Sequence, residues 1–165
     1  MRSRSNVTWF STKVRYQKTM EDGSEKVVTE NYLVDALSFT EAESAITDEM
    51  SVYVSGEFQV SGIAKAAYNE VFFSDVDDDD KWYKAKLQFI TIDEKTEKEK
   101  RSTVNYLVQA KSLARALRYV DEEMGKTMID YDTIGLNETN LMDVFEHQLP
   151  NKEEKNDVPE YEEQK

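Results

Sequence analysis

The 165-residue sequence has no cysteine, a single histidine, two prolines and five glycines, and its cations are outnumbered, with Lys+Arg 21 against Asp+Glu 34. Lack of cysteine excludes disulfides, thiolate metal sites and cysteine nucleophiles. One histidine, His147, excludes histidine-rich metal centres and leaves a poor basis for a Ser-His-Asp arrangement. No apolar run approaches the roughly 18 residues that span a bilayer, and the opening Met1-Arg2-Ser3-Arg4-Ser5 lacks the apolar stretch of a signal peptide. A glycine-rich phosphate loop and a nucleophile elbow are also missing. The expectation is a cytoplasmic protein, not an enzyme, with no cofactor, no bound metal and no membrane association. Against these absences stand 39% hydrophobic residues, with nine tyrosines, seven phenylalanines and two tryptophans, enough to bury a core despite the net charge of -13.

An internal repeat organises the chain. Trp9-Phe10-Ser11-Thr12-Lys13-Val14 returns as Trp82-Tyr83-Lys84-Ala85-Lys86-Leu87, and Asn31-Tyr32-Leu33-Val34 as Asn105-Tyr106-Leu107-Val108. Ala36, Ser38, Ala42, Glu49 and Met50 recur as Ala110, Ser112, Ala116, Glu123 and Met124, and Gly62, Val71 and Phe72 as Gly135, Val144 and Phe145. The division is a flexible terminus at 1–6, a first repeat at 7–73, an acidic linker at 74–81, a second repeat at 82–147 and a disordered acidic tail at 148–165.

Each repeat opens with period-two alternation, so Phe10, Val14 and Tyr16 share one face, as do Tyr83, Leu87 and Phe89. Turn residues at Glu21–Ser24 and in the Asp93–Lys98 stretch make these segments hairpins with second strands over Val27–Ala36 and Arg101–Ala110. Ser38 and Glu41 form a capping box ahead of Phe39, Ala42, Ile46 and Met50 at helical spacing. Ser112 starts the matching helix, with Leu113, Ala116, Leu117, Val120 and Met124 expected to dock on a sheet. Two short strands close each repeat, over Glu57–Ile63 and Tyr68–Phe73, then Asp130–Leu136 and Asn140–Phe145. The fold class is α+β: two tandem β-β-α-β-β repeats with pseudo-twofold symmetry, antiparallel throughout, one helix per repeat. One extended sheet with both helices on one side is the favoured arrangement, and two sheets sharing a core the other.

The polar faces of the two hairpins are the candidate ligand site. Trp9, Lys13, Arg15 and Asn31 share one such face, and Trp82, Lys84, Lys86 and Asn105 the other. A tryptophan offers a stacking platform, a lysine or arginine attracts phosphate, and an asparagine amide bonds polar edges, the components of a nucleotide-like site; the same residues also suit an oligomer interface or plain sheet surface. Asp130 and Asp132, two apart on a strand, could hold Mg²⁺ for phosphate-ester chemistry, the rival enzymatic reading. The Asp75–Asp80 run lacks the turn glycine and closing glutamate of a calcium loop and reads as a solvated linker; Asp77–Lys81 also spells an enteropeptidase recognition string. More than half of the acid excess lies in linker and tail, so the nearly balanced repeats permit an anionic ligand, while duplex DNA is not an expected partner.

The run from Lys13-Val14-Arg15-Tyr16 through Asn31-Tyr32-Leu33-Val34-Asp35-Ala36-Leu37-Ser38-Phe39, with Ser55-Gly56-Glu57-Phe58, Trp82-Tyr83-Lys84 and Met142-Asp143-Val144-Phe145, resembles a family of small proteins of unknown function from gut Bacteroidetes and their phages. The resemblance covers most of residues 8–147. It implies a phage or mobile-element accessory protein working in the bacterial cytoplasm and carries over no catalytic residue. The expected function is a binding or interaction module whose partner is a nucleotide-like molecule, a host protein or a second copy of itself. A small phage structural or assembly protein is the third reading.

Overall fold

The computed structural model describes residues 1–147; the tail expected at 148–165 lies outside them. The elements run β1 (Arg2–Ser5), β2 (Trp9–Thr19), β3 (Glu25–Asp35), α1 (Phe39–Tyr53), β4 (Phe58–Ala66), β5 (Glu70–Phe73), β6 (Lys81–Ile92), β7 (Glu99–Ala110), α2 (Leu113–Met124), β8 (Asp130–Glu138) and β9 (Leu141–Phe145). The protein is α+β, with two helices and two mixed sheets of mostly antiparallel strands.

Local chemistry sets the elements. In the first hairpin turn Gly23 takes φ 87°, a backbone region unfavourable to residues with a Cβ, and the Asp22 carboxylate accepts from the Ser24 N–H at 3.0 Å. The Ser38 hydroxyl accepts the Glu41 N–H at 3.1 Å and starts α1; Ser112 does the same for the Arg115 N–H at 3.1 Å and starts α2. Replacing either serine by alanine removes a cap of about 1 kcal/mol.

The favoured single sheet is not what forms. The strands divide between a four-stranded sheet, ordered β4-β2-β3-β9, and a five-stranded sheet, ordered β1-β5-β7-β6-β8. The cause is visible in adjacent residues: Trp9 and Phe10, Leu33 and Val34, Trp82 and Tyr83, and Leu107 and Val108 are all buried, although neighbours on a strand point to opposite faces. A sheet apolar on both faces needs cover on both, and a helix can supply only one. Phe10, Val34, Ala42, Ala45, Ile46 and Met50 form a core between the four-stranded sheet and α1. Leu87, Tyr106, Val108, Val120 and Met124 do the same between the five-stranded sheet and α2. Trp9, Leu33, Val71, Trp82, Leu107 and Val144 form a third core from strands of both sheets. The layers are therefore helix, sheet, sheet, helix.

The last strands cross over. β5, from the first half of the chain, pairs with β7 in the five-stranded sheet, and β9, from the second half, pairs with β3 in the four-stranded sheet. Both pairings are parallel, which corrects the all-antiparallel expectation. Each sheet thus contains a strand from the other half of the chain. Residues 2–5, expected to be flexible, form β1 alongside β5. Arg4 fastens that strand to the opposite sheet, donating to Asp35 at 2.9 Å and to Glu146 at 2.8 Å. Among the described residues no helix is long and apolar enough to cross a membrane.

Candidate binding faces

The two tryptophans proposed as stacking platforms are already packed. Trp9 is 1% exposed and Trp82 2%, both in the core between the sheets. Trp82 meets Phe73 edge to face at 5.4 Å, and the cation over the Trp9 ring is Arg4, at 5.7 Å, not a residue of its own hairpin. Among the described residues, none of the expected cations Lys13, Arg15, Lys84 and Lys86 stacks on either ring. Alternation places these rings on the intended face, but that face becomes the inter-sheet core at the tryptophan end of each hairpin.

Farther along β2 and β6 the same faces emerge from the core. Lys13, Arg15 and Lys86 are exposed, and Lys84, Asn31 and Asn105 are half-buried. Lys13 sits between Asn31 on β3 and Gly62 on β4; Arg15 sits between Thr29 and Gln59. On the other sheet Lys84 lies between Leu107 and Asn137, and Lys86 between Asn105 and Gly135. Every cross-strand neighbour of the four cations is uncharged. Among the described residues no carboxylate lies within ion-pair distance of any of them. The stems of Lys13 and Lys86 pass Gly62 and Gly135: a Cβ at either glycine would lie in ordinary contact, 3.6 Å from Lys13 Cδ or Lys86 Cβ respectively. The Asn105 Oδ1 beside Lys86 is buried without a hydrogen-bond partner. Arg15 also borders a shallow pocket of about 560 Å³ with Tyr16, Glu57, Phe58 and Gln59.

Two of the acidic candidates, Asp132 and Asp79, hold partners within the fold. Asp132 accepts from Arg101 at 2.9 Å, and among the described residues no group of three metal-ligating side chains converges. The linker is not wholly solvated, because Asp79 is buried. Its carboxylate accepts from the Ser74 hydroxyl at 2.5 Å, the Tyr119 hydroxyl at 2.6 Å and Arg115 at 3.3 Å. Burial opposes its ionisation, but these three donors outweigh burial and hold it below the ordinary carboxylate range. His147 is exposed, and its backbone N–H donates to Asp35 at 2.5 Å.

On the helix side of the four-stranded sheet, Glu30 accepts both the Tyr16 and Tyr32 hydroxyls, at 2.9 and 2.8 Å. Burial first, then this carboxylate, pushes Tyr16 up to about 12 and Tyr32 in the same direction. Both phenols stay protonated as donors, which suits structure rather than acid-base exchange at neutral pH.

Sequence reasoning missed an exposed apolar surface. Leu113 and Leu117, expected to dock on the sheet, remain 49% and 41% exposed beside Ile134 of β8, itself 48% exposed. The signal was available in the repeat, where Leu117 stands against Glu43 and Ile134 against Ser61. In comparisons with known proteins, no curated protein and no solved structure matches, while the family model for a domain of unknown function (DUF4494) matches residues 8–147.

Proposed function

The chain belongs to the DUF4494 family, whose description assigns no activity, and from that premise we propose that the protein is a non-enzymatic module that binds a phosphate-bearing, nucleotide-like molecule on its two hairpin faces. One observation carries this reading. In a chain with 34 acids, Lys13, Arg15, Lys84 and Lys86 have only uncharged cross-strand neighbours. Opposite charges across a sheet are favourable, so leaving four cations without them forgoes stabilisation and preserves their charge for an anion. Asn31 and Asn105 supply amide groups beside the lysines. The buried tryptophans leave recognition on these faces to the cations and the asparagine amides. The sequence repeat makes the two faces counterparts in the two halves of the chain. A phage or mobile-element accessory protein of this kind would act by sequestering its ligand in the host cytoplasm, which needs complementarity and no catalytic group.

Calorimetric titration with nucleoside triphosphates and inorganic pyrophosphate tests the proposal. Binding should weaken as salt rises, and Lys13→Glu with Arg15→Glu, or Lys84→Glu with Lys86→Glu, should each lower affinity about tenfold or more at the affected face. Absence of binding at millimolar ligand, or equal binding by the charge-reversed variants, refutes it. Turnover in the presence of Mg²⁺ that disappears in Asp130→Asn would favour the carboxylate-dependent metal enzyme instead.

A further inference from the structure

The register of each sheet sets one side-chain amide beside every cation of the hairpin faces. Asn31 stands across from Lys13, Gln59 from Arg15, Asn137 from Lys84 and Asn105 from Lys86. Cross-strand neighbours share a face of their sheet, so each cation and its amide lie together on one side. These amides do not hold the fold together. Among the described residues, the side chains of Asn31, Gln59, Asn105 and Asn137 make no hydrogen bond. Other amides nearby are used: Gln88 accepts from Arg101 at 3.3 Å, Gln109 from the Ser74 N–H at 2.9 Å and Asn69 from the Asn105 N–H at 2.9 Å.

The internal repeat keeps one row of each face. Lys13 matches Lys86, Asn31 matches Asn105 and Gly62 matches Gly135, so amide, lysine and glycine follow one another across three strands in both halves. The second cation is placed differently. Arg15, toward the hairpin tip, is matched by Gln88, whereas Lys84, toward the tryptophan end, is matched by Ser11. Each half thus reaches the same pair of in-line cations with a different second residue.

Spacing separates the ligands such a pair can meet. The two cations of a face are two residues apart on one strand, roughly 7 Å by the rise of a strand. Adjacent phosphates of a di- or triphosphate share a bridging oxygen and lie at well under that separation. Successive phosphates of an extended single strand have a whole sugar between them and match it. One amide accompanies each cation, as one base accompanies each phosphate of a strand, whereas a nucleoside triphosphate offers a single base for three phosphates. Lys13, Arg15, Gln59, Lys86 and Asn137 are exposed on open sheet, while small-molecule sites enclose most of their ligand. Two carboxylates stand close by: Asp132, beside Gln88, is held by Arg101 at 2.9 Å, and Glu57 borders the Arg15 pocket outside ion-pair distance.

Taking the hairpin faces as the anion site proposed for them, we infer that their ligand is an unpaired nucleic-acid strand. The cations of a face meet two successive phosphates, and the amides meet the base edges, which a duplex would hide in pairing. With both tryptophans buried, stacking contributes nothing from these rings and the charges set the affinity. Two neutralised phosphates per face give log affinity against log salt a slope of about -1.4 for one face and about -2.8 for a strand that engages both.

Fluorescence anisotropy with labelled, unpaired ten-nucleotide DNA and RNA tests this on the full chain, with ATP, inorganic polyphosphate and the matching duplex as competitors. At least one strand should bind about tenfold or more tighter than ATP and duplex, with a slope between those two values; the preferred sugar identifies the strand as DNA or RNA. Replacing Lys13, Arg15, Lys84 and Lys86 by alanine should abolish binding. Gln59→Ala with Asn137→Ala, both at exposed positions, should weaken it about threefold or more while slope and melting temperature stay unchanged; adding Asn31→Ala and Asn105→Ala should weaken it further. ATP or polyphosphate competing as well as the strand overturns the strand and leaves the nucleotide reading standing. Absence of binding by every ligand at millimolar concentration overturns both. Duplex binding as tightly as the strand, or amide variants that bind like wild type, also overturns the inference.

Discussion

Trp9 and Trp82 show how one residue type changes meaning with burial. As ligand platforms they would be removable without cost to the fold, whereas in the core between the sheets each removal leaves a cavity. Trp9→Ala and Trp82→Ala should each destabilise the protein by about 3–5 kcal/mol in urea titration; a change under about 1 kcal/mol would place the rings outside the core. Asp79 makes a second prediction at this scale. Its carboxyl ionises more readily in the folded protein than in the unfolded chain, so its contribution is complete at neutral pH and is lost as pH falls through the depressed folded value. Asp79→Asn should therefore be less stable than wild type at pH 7, with the difference shrinking below about pH 4. A gap that is unchanged or grows on acidification would contradict the sign.

Among the elements, the linker carries the clearest consequence. The recognition string Asp77–Lys81 is present, but Asp79 is anchored by Ser74, Arg115 and Tyr119, Lys81 begins β6, and Trp82 is buried. A protease needs its recognition segment extended and accessible. The native protein should resist enteropeptidase, and Ser74→Ala with Tyr119→Phe, which removes two of the anchoring hydroxyls, should speed cleavage after Lys81 on a gel time course. Rapid cleavage of the wild type would show that the anchor does not hold. The elements were the most legible part of the sequence, because alternation, capping serines and turn residues act over a few positions. Misreadings fell where a distant partner decides: Leu113 and Leu117 have helical spacing, but whether that stripe is covered depends on where β8 runs.

For the whole molecule, the exchange of β5 and β9 ties the halves together. Truncation after Asn140 removes β9 from the second half, yet the strand that loses a neighbour is β3 in the first. Hydrogen exchange should accelerate at the β3 amides facing β9, between Asn31 and Val34, more than at β7, whose neighbours β5 and β6 both remain. Uniform loss of protection, or loss confined to β8, would contradict the shared-sheet arrangement.

Much was decided by residue order alone: the α+β class, the internal match, the positions of both helices and their caps, the alternation that puts Trp9 with Lys13 and Trp82 with Lys86, and the scarcity of groups for common catalysis. Tertiary structure alone decided which sheet the last strands join, that the tryptophan faces close on each other while the lysines emerge from the same faces, that one linker aspartate is buried, and that Ile134 and Leu117 border an open groove. The physical reason is range. Propensity, capping and periodicity are set by neighbours in sequence, whereas the cover on the second face of a sheet comes from residues dozens of positions away, and only that packing determines whether an aromatic or a cation is core or surface.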